Sequence, residues 1–414
     1  MEKRIKIDFE KTFKNNSRRE DINFRKLYLK KFLKDGFPSK KLENWKFSDL
    51  NQIINNHIGG LNFYNNFSKK NKINNSIFIN EFEHNKIIFI NGKLEETDFK
   101  FEEKNKIKLS IKTKKDEKKS DANSLESLNN ALNSNCYKIS IKSNYFAKKP
   151  LVVYHITNGE LKLTNINLQL NFSLEKNSSL KIIDIFNDDS EKNFVNIFYN
   201  FDLKQDAILK NFKIDKIRNN NIKYSYNNIE QDENSVSETF ILSCGSKFMK
   251  NEINCNLNGK YSSAFVNGIF SLNKQNHHEI RTSVNHLTEN TKSYQLIKSV
   301  LDDNAKAVYQ GKIYVNSQAQ KTDGYQLSKA ILLNESTEFN AKPELEIYAD
   351  DVKCSHGSAS GSLNESSIFY LRSRGLSFKE AKNLLINGFL LDVIEKITDE
   401  EIKIFIKKTM GLKQ

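Results

Sequence analysis

Cysteine is scarce in this chain, and its four residues, Cys136, Cys244, Cys255 and Cys354, lie far apart with no Cys-x-x-Cys spacing. Such isolated thiols argue against a disulfide framework and indicate a reducing compartment. No apolar run approaches the ~20 residues that span a bilayer. The N-terminal stretch Met1–Phe13 lacks the apolar core of a secretion signal. We therefore expect a soluble, cytoplasmic protein without a membrane segment, with an organelle-encoded copy as the alternative.

Motifs of the common enzyme classes are also missing. The sequence has no Walker A loop, no Gly-x-Gly-x-x-Gly turn, no Gly-x-Ser-x-Gly elbow and no His-Glu-x-x-His helix. An ATPase, a Rossmann dehydrogenase, an α/β-hydrolase and a zinc protease of the usual types therefore lose their main support. We predict that the chain is not an enzyme.

The net charge of +14 comes without clustering. Lysines are interleaved with many Asn and Ile residues, which is typical of an AT-rich genome, and Lys112–Ser120 is the one dense basic run. Nucleic-acid binding requires clustered cations that neutralise phosphates. A cationic nucleic-acid binder is therefore a minor hypothesis, and we predict that Lys112–Ser120 is a solvated loop.

Proline is absent between Pro150 and Pro343, and apolar residues alternate with polar ones through much of this interval. The period is two from about Ile87 to Ile347, which indicates β-strands, and Ile87–Leu94 is the first well-marked one. Proline would remove ladder hydrogen bonds from stacked strands, so its absence from this interval is consistent with β-strands there. The sequence predicts a core that is mainly β.

A weak internal repeat suggests how these strands are arranged. Leu174–Lys181 matches Leu203–Lys210 at an offset of 29 residues, with an apolar residue, a polar turn and an apolar residue. Similar turns recur at Ile229–Val236, Leu257–Phe265, Leu301–Val308 and Leu333–Phe339. Repeats of this period indicate stacked coils. We predict a parallel β-helix over residues 81–362, with an antiparallel sandwich as the alternative.

Helical patterns flank this core, over residues 1–80 and 363–414. At the N-terminal side, Ser17–Leu33 predicts a helix that ends before Gly36 and Pro38, and Trp45 is interpreted as a packing anchor. At the C-terminal side, Gly375 suits a helix end.

Two further helix starts are predicted beyond Gly375. Ser377 with Glu380 forms a capping box, and Thr398 with Glu401 suggests the next start. The first of these helices would carry an apolar side that folds back on the core or docks a second protein. Its residues are Ala381, Leu384, Leu385, Leu391 and Ile394.

The most informative stretch is Pro343–Gly361, PELEIYADDVKCSHGSASG. In an extended strand Asp350, Cys354 and His356 would share one face. A thiol beside an imidazole suits iron or zinc, yet two ligands make half a tetrahedral site. The alternative is an ordinary strand end with a buried Cys and a partly exposed His.

The other histidines give weaker signals. His277, His278 and Glu279 form the one His-rich cluster, but adjacent residues of a strand face opposite sides, so one metal cannot easily take both imidazoles. We interpret this cluster as structural. His286 follows it and carries no predicted chemical role.

Several long segments of the chain resemble a known family. Lys342–Gly357 and Ser366–Phe389 resemble the SufB/SufD family of iron–sulfur cluster assembly scaffolds, as do Arg281–Leu333 and, more weakly, Gly36–Leu50. Within the family the chain resembles SufD. SufB has Glu after the corresponding His and a cysteine at the position of Ile347, whereas this chain has Gly357 and Ile347.

One departure from the SufD pattern follows the histidine. SufD chains usually continue Gly-Ala-Thr-Val-Gly, whereas here Gly357 is followed by Ser358, Ala359, Ser360 and Gly361. The changes keep small residues, so the local backbone is expected to tolerate them.

The resemblance implies a right-handed β-helix between helical ends, in a non-catalytic scaffold subunit. It implies that SufB pairs through the β-helix, that the SufC ATPase binds the C-terminal helices, and that the chain alone forms a homodimer. His356 would contribute to a transient iron–sulfur cluster, or iron, shared with SufB, with Cys354 as an auxiliary ligand and Asp350 as an orienting acceptor. No tightly bound cofactor is expected. Iron delivery, sulfur relay and interface stabilisation stay open as roles, and a β-solenoid interaction module without metal chemistry is the alternative function.

Overall fold

The computed structural model describes residues 2–13, 19–63, 77–112, 122–133, 135–157, 161–188, 192–216 and 219–412. Apart from Lys112, the basic run Lys112–Ser120 lies outside these residues, so its predicted loop is not tested. Within these ranges, none of the helices combines the length and the apolarity that crossing a membrane requires.

Two long sheets form the centre of the molecule. Sheet 1 holds ten strands. In chain order they are β1 (Asn85–Ile90), β2 (Lys93–Asp98), β5 (Leu151–Thr157), β7 (Ser179–Asp188), β9 (Ile208–Asp215), β11 (Val236–Ser243), β13 (Ser263–Leu272), β15 (Lys292–Leu301), β17 (Thr322–Leu332) and β19 (Val352–Gly361).

Sheet 2 holds the nine remaining strands of the described residues. They are β3 (Ile107–Lys112), β4 (Cys136–Ile141), β6 (Asn165–Leu174), β8 (Phe194–Leu203), β10 (Ile222–Gln231), β12 (Phe248–Leu257), β14 (His277–His286), β16 (Lys306–Val315) and β18 (Glu338–Ile347).

The chain alternates between the two sheets, so from β4 onward each strand pairs in parallel with the strand two positions later. The result is a parallel β-solenoid of about seven turns, which confirms the predicted parallel β-helix and excludes the sandwich. Leu174 is the register partner of Leu203, as the 29-residue repeat predicts. The first four predicted turns lie at one edge of the solenoid, whereas the turns in Leu301–Val308 and Leu333–Phe339 lie at the opposite edge.

A column of left-handed residues makes the turns from sheet 2 to sheet 1. From the β4–β5 turn to the β16–β17 turn, one residue per turn has a positive φ, between 52° and 62°. These residues are Asn144, Asn177, Asp206, Asn234, Tyr261, Asn290 and Lys321. Asn and Asp tolerate this conformation best among residues with a side chain, so the polar turns of the sequence pattern have a backbone cause.

Helices cover the outer faces of both sheets. The helices are α1 (Glu2–Phe13), α2 (Arg19–Asp35), α3 (Leu50–His57), α4 (Ser124–Leu132), α5 (Glu365–Ser373), α6 (Phe378–Ile394) and α7 (Glu400–Thr409). Helices α1 to α4 pack on the middle of sheet 2, in a cluster that includes Phe194, Phe198 and Phe248. Trp45, which is 2% exposed, contacts Tyr224 in this cluster, so its role as a packing anchor is confirmed.

The C-terminal helices pack on sheet 1. Val393, Ile394 and Phe405 are buried against its outer face, so the fold-back alternative holds for the end of α6 and for α7. Leu384 was predicted on the apolar side, but it is exposed because the buried stripe runs through Leu390 and Val393 instead.

The predicted ends of the helices are mostly confirmed. Gly36 and Gly375 follow α2 and α5 with positive φ, and Ser377 with Glu380 forms the capping box of α6. Thr398 is not the N-cap of α7. Asp399 takes that place, because its carboxylate accepts from the backbone N–H of Ile402.

The space between the sheets, here called the lumen, contains buried charges as well as apolar side chains. Lys213 pairs with Asp184 at 2.9 Å, and Lys223 pairs with Asp215 at 2.9 Å. Tyr199 also donates to Asp184 at 3.0 Å. Buried charges persist only when they are paired and hydrogen-bonded, so these residues form a structural network.

The His-rich cluster is divided by the strand, as predicted. His278 lies in the lumen, where Ser243 and the Ser246 carbonyl occupy its two ring nitrogens, at 2.7 and 2.6 Å. Glu279 faces the opposite side and pairs with Lys250 at 2.6 Å. His286 is also buried, against Thr291 and Ser293.

Replacement of Gly259 tests how closely neighbouring coils stack. A Cβ on this residue would overlap the backbone of Asp232 and Glu233 in the preceding turn. Backbone atoms cannot move aside cheaply, so we expect Gly259→Ala to lower the free energy of unfolding by about 2–3 kcal/mol. Urea unfolding measures this value. Gly388→Ala is the matched control, because a Cβ there meets nothing within 4 Å, and equal effects of the two replacements would contradict the prediction.

Buried histidines predict a loss of stability in mild acid. Burial lowers the pKa of His278 to about 4 and that of His286 to about 3, from 6.5. The unfolded chain therefore binds these protons first, and stability falls as the pH decreases below about 6.5, by about 1.4 kcal/mol per pH unit for each histidine. Urea unfolding at pH 7.5, 6.0 and 5.0 measures the slope.

The same series with His286→Gln should show a smaller slope, because one proton-binding group is gone from the unfolded chain. His356→Gln, at an exposed position, is the control for the replacement itself. A slope that does not change in His286→Gln would contradict the prediction.

Candidate functional site at the open end of the solenoid

The stretch Pro343–Gly361 forms the last coil of the solenoid. It is not one strand: β18 ends at Ile347, residues 348–351 turn, and β19 begins at Val352. Both strands are terminal in their sheets, with a partner on one side only among the described residues. Their free edges expose backbone N–H and C=O groups.

Cys354 and His356 lie on the row of β19 that faces the lumen side. Their register partners on β17 are Gly324 and Gln326, which are both buried. The two side chains therefore share one face, as the alternation predicts. Cys354 is half-buried, whereas His356 is exposed because no further coil covers it within the described chain.

The thiol of Cys354 belongs to a small apolar cluster that closes the end of the lumen. It packs with Ile313, Val315 and Leu345. A Cβ on Gly324 would lie 3.4 Å from the Cys354 sulfur, so the glycine leaves room for it. Burial raises the pKa of this thiol, against an opposing hydrogen bond from the Gly324 backbone. Since the thiolate is the metal ligand, Cys354 is the weaker donor of the pair.

Asp350 is not beside His356. It is exposed in the turn that precedes β19, so the single strand that the sequence pattern predicts for these residues is wrong at this point. Four residues of extended chain separate the start of the strand, Val352, from His356, which is about 13 Å at the usual rise. The structure brings Cys354 and His356 together and leaves Asp350 apart.

Gln326 was not identified from the sequence. It lies under His356 in the ladder and is 0% exposed, and its amide donates to the Glu344 carbonyl of β18 at 3.5 Å. The pairing joins residues thirty positions apart, and only the register of β17 and β19 reveals it.

The described residues contain no group of three or more His, Cys, Asp or Glu side chains that could hold a metal ion. Cys354 and His356 thus remain two donors of an incomplete set, at an edge that a second chain could extend. The arrangement can do one thing chemically: present an imidazole, with a thiol behind it, to ligands from elsewhere.

A second exposed feature lies on α5 and the start of α6. Phe369 is 75% exposed and Phe378 is 57% exposed, and Tyr370 and Leu384 are exposed on the same two helices. We call these four residues the aromatic patch. Single exposed apolar residues are ordinary, but an aromatic group of this kind is typical of an interaction surface.

Comparison with known proteins agrees with this geometry. Residues 155–389 match the family model described as "SUF system FeS cluster assembly, SufBD core domain", which is more than half of the chain. The iron–sulfur cluster assembly protein SufD of Escherichia coli is 26% identical over 388 residues, covering 91% of this chain and 89% of that protein.

Shorter matches lie in other organisms. The chloroplastic protein ABCI7 of Arabidopsis thaliana is 38% identical over 112 residues, 27% of this chain and 24% of that protein. The iron–sulfur cluster assembly protein SufB of Bacillus subtilis is 25% identical over 159 residues, 38% of this chain and 34% of that protein. Because the family model covers more than half of the chain, the chain belongs to the SufBD family of the SUF iron–sulfur cluster assembly system.

Proposed function

We propose that this chain is a non-catalytic scaffold subunit that pairs with SufB at its open end and contributes His356 to a transient iron–sulfur cluster site. The observation that carries the proposal is the position of His356, exposed on the last, unpaired coil of a SufBD-family solenoid. The cluster is cargo assembled at the boundary, so part of its ligand set comes from the second chain.

The free edge of β18 supports pairing with another strand. Glu338 and Tyr348 donate their backbone N–H groups to the carbonyls of Ala305 and Val315, at the two ends of β16. The N–H groups of the odd-numbered residues between them therefore point to the open side. Pro343, which has no N–H, falls among these odd positions. Proline is tolerated on an edge strand for this reason, and a partner strand would meet one gap there.

The two donors have different roles in the proposal. His356 is exposed, and a neutral imidazole is a good ligand for iron, so it is the primary ligand. Cys354 is half-buried with a raised pKa, so it is an auxiliary ligand or a thiol that relays sulfur. Asp350, exposed in the turn, would act as an orienting acceptor only after a rearrangement of that turn.

The SufC ATPase is proposed to dock on the aromatic patch. The end of α6 and α7 are committed to sheet 1, whereas α5 and the start of α6 leave their aromatic side chains uncovered by the described residues. ATP hydrolysis would belong to that partner.

Three further features are proposed for this chain. It has three domains, over residues 1–80, 81–362 and 363–414. It lies in the cytoplasm, and it forms a homodimer when it is alone.

The alternative function is a β-solenoid interaction module without metal chemistry. The observation in its favour is the membership of Cys354 in an apolar cluster, which is an ordinary structural role for a cysteine. The scaffold function predicts that loss of His356 lowers the cluster content, whereas the interaction module predicts no change.

Replacement of His356 separates these functions. In anaerobic co-purification with SufB and SufC, His356→Ala should keep the complex intact while iron and sulfide content fall at least tenfold, because one ligand is lost. Ser355→Ala, the neighbour on the opposite face of β19, is the matched control and should keep its cluster. Unchanged iron and sulfide content in His356→Ala would contradict the ligand role of His356, and the chain would then be a structural partner only.

Replacement in the aromatic patch tests SufC docking. Phe369→Ala should weaken SufC binding at least tenfold, because the exposed ring would be buried in the complex. Isothermal titration calorimetry measures the affinity. Ile404→Ala, an exposed apolar residue of α7 outside the patch, is the control. Equal affinities for the wild-type chain and Phe369→Ala would contradict docking at this surface.

A further inference from the structure

Five amide side chains in the lumen carry polar atoms without a hydrogen-bond partner among the described residues. All five residues are 0% exposed. The atoms are both Oδ1 and Nδ2 of Asn211 and of Asn251, Oδ1 of Asn227, Nε2 of Gln295 and Oε1 of Gln326. We call these five residues the polar lane.

Orphaned polar atoms of this kind are rare in native interiors, because each one loses its hydrogen bonds to water on folding. The unpartnered atoms include both donors and acceptors, so the lane is not a site for ions of one sign. Ordered water supplies both roles, and one buried molecule typically makes about three hydrogen bonds. The chemistry of the lane therefore fits water.

The lane follows the register of sheet 1 toward the open end. Asn211, Thr239, Val266, Gln295, Gln326 and His356 are successive register partners. Asn227 and Asn251 face the same lumen from sheet 2, where Asn227 donates to Ser225, the register partner of Asn251. Members of this column are spaced by about 4.8 Å from coil to coil, and all but Val266 are polar.

An apolar layer divides the lane into two groups. Val266 interrupts the column of sheet 1, and on sheet 2 the register partners that follow Asn227 and Asn251 are Ile253 and Ile280.

Thr282 and Tyr309 both hydrogen-bond the Gln295 oxygen, and they contact each other at 3.2 Å. Gly311 lets the Tyr309 hydroxyl and the Gln326 amide oxygen approach the backbone of β16, since a Cβ there would collide with both. The second group, Gln295 and Gln326, thus reaches the residue beneath His356.

We propose that the polar lane binds ordered water molecules inside the solenoid, one set at Asn211, Asn227 and Asn251 and a second set at Gln295 and Gln326 that ends under His356. Pairing of the open end with a second chain would cover His356 from outside, and the lane would then keep its lumen side hydrated. That last step rests on the proposed function, whereas the hydration of the lane does not.

The sign of a stability change tests hydration. Asn251→Leu has similar size and removes one amide. If the lane is hydrated, leucine displaces water that also serves Asn211 and Asn227, so the urea midpoint should fall. If the amide is dry, leucine removes two orphaned atoms and the midpoint should rise, which would overturn the proposal. Ile253→Leu, on the same strand and facing the same lumen, is the control for repacking and should shift the midpoint less.

A second measurement needs no variant to fold. Oxygen-17 relaxation dispersion on the wild-type chain counts water molecules with long residence times. We expect at least two, because the unpartnered atoms exceed what one molecule can bond. The absence of long-lived water would overturn the lane whatever the stability data show.

Gln326→Leu links the lane to His356. In the complex with SufB and SufC, we expect it to reduce iron and sulfide at least threefold while the complex still forms. Unchanged content would overturn the link to His356. The two hydration measurements use the isolated chain, so a failure of the scaffold proposal is distinguishable from a failure of the lane.

Discussion

The backbone ladder between successive coils is the constraint on which the rest of this structure depends. Each coil satisfies its N–H and C=O groups with the coils before and after it, so the turns must repeat at nearly constant spacing and the strands must stay in register. The column of left-handed turn residues and the tight contact at Gly259 both follow from this spacing. Such a ladder ends at the last coil, where the outward backbone N–H and C=O groups of β18 and β19 pair with no further strand of the described residues.

The sheets bury their outer faces against helices at different places. The N-terminal helices cover the middle of sheet 2 and the C-terminal helices cover part of sheet 1. The outward edges of β18 and β19 pair with no further strand of the described residues. Lys213 and Asp184 between the sheets are paired, and burial lowers the pKa of His278 and of His286 there. The interior therefore combines a large apolar core with buried polar groups, and the polar residue Gln326 lies beside the coil that carries His356.

Much of the fold could be predicted from the sequence, because its signals are local or periodic. The alternation of apolar residues, the polar turns and the 29-residue offset between Leu174 and Leu203 are properties of neighbouring residues and of repetition. The error at Thr398 has a local cause too, since Asp399 competes for the same capping role one residue later. The exposure of Leu384 has a tertiary cause, because the way α6 packs on sheet 1 selects which stripe is buried.

At the site, the shared face of Cys354 and His356 could be read from the chain without any structure, because alternation along a strand needs no knowledge of distant residues. Only the folded arrangement of the coils shows that this strand starts at Val352, so that Asp350 lies in a turn. The same is true of the position of Gln326 beneath His356. The burial that raises the pKa of Cys354 and the exposure of His356 have the same origin. These properties depend on which coil is last and on what covers it, and such long-range packing leaves no periodic trace in the chain.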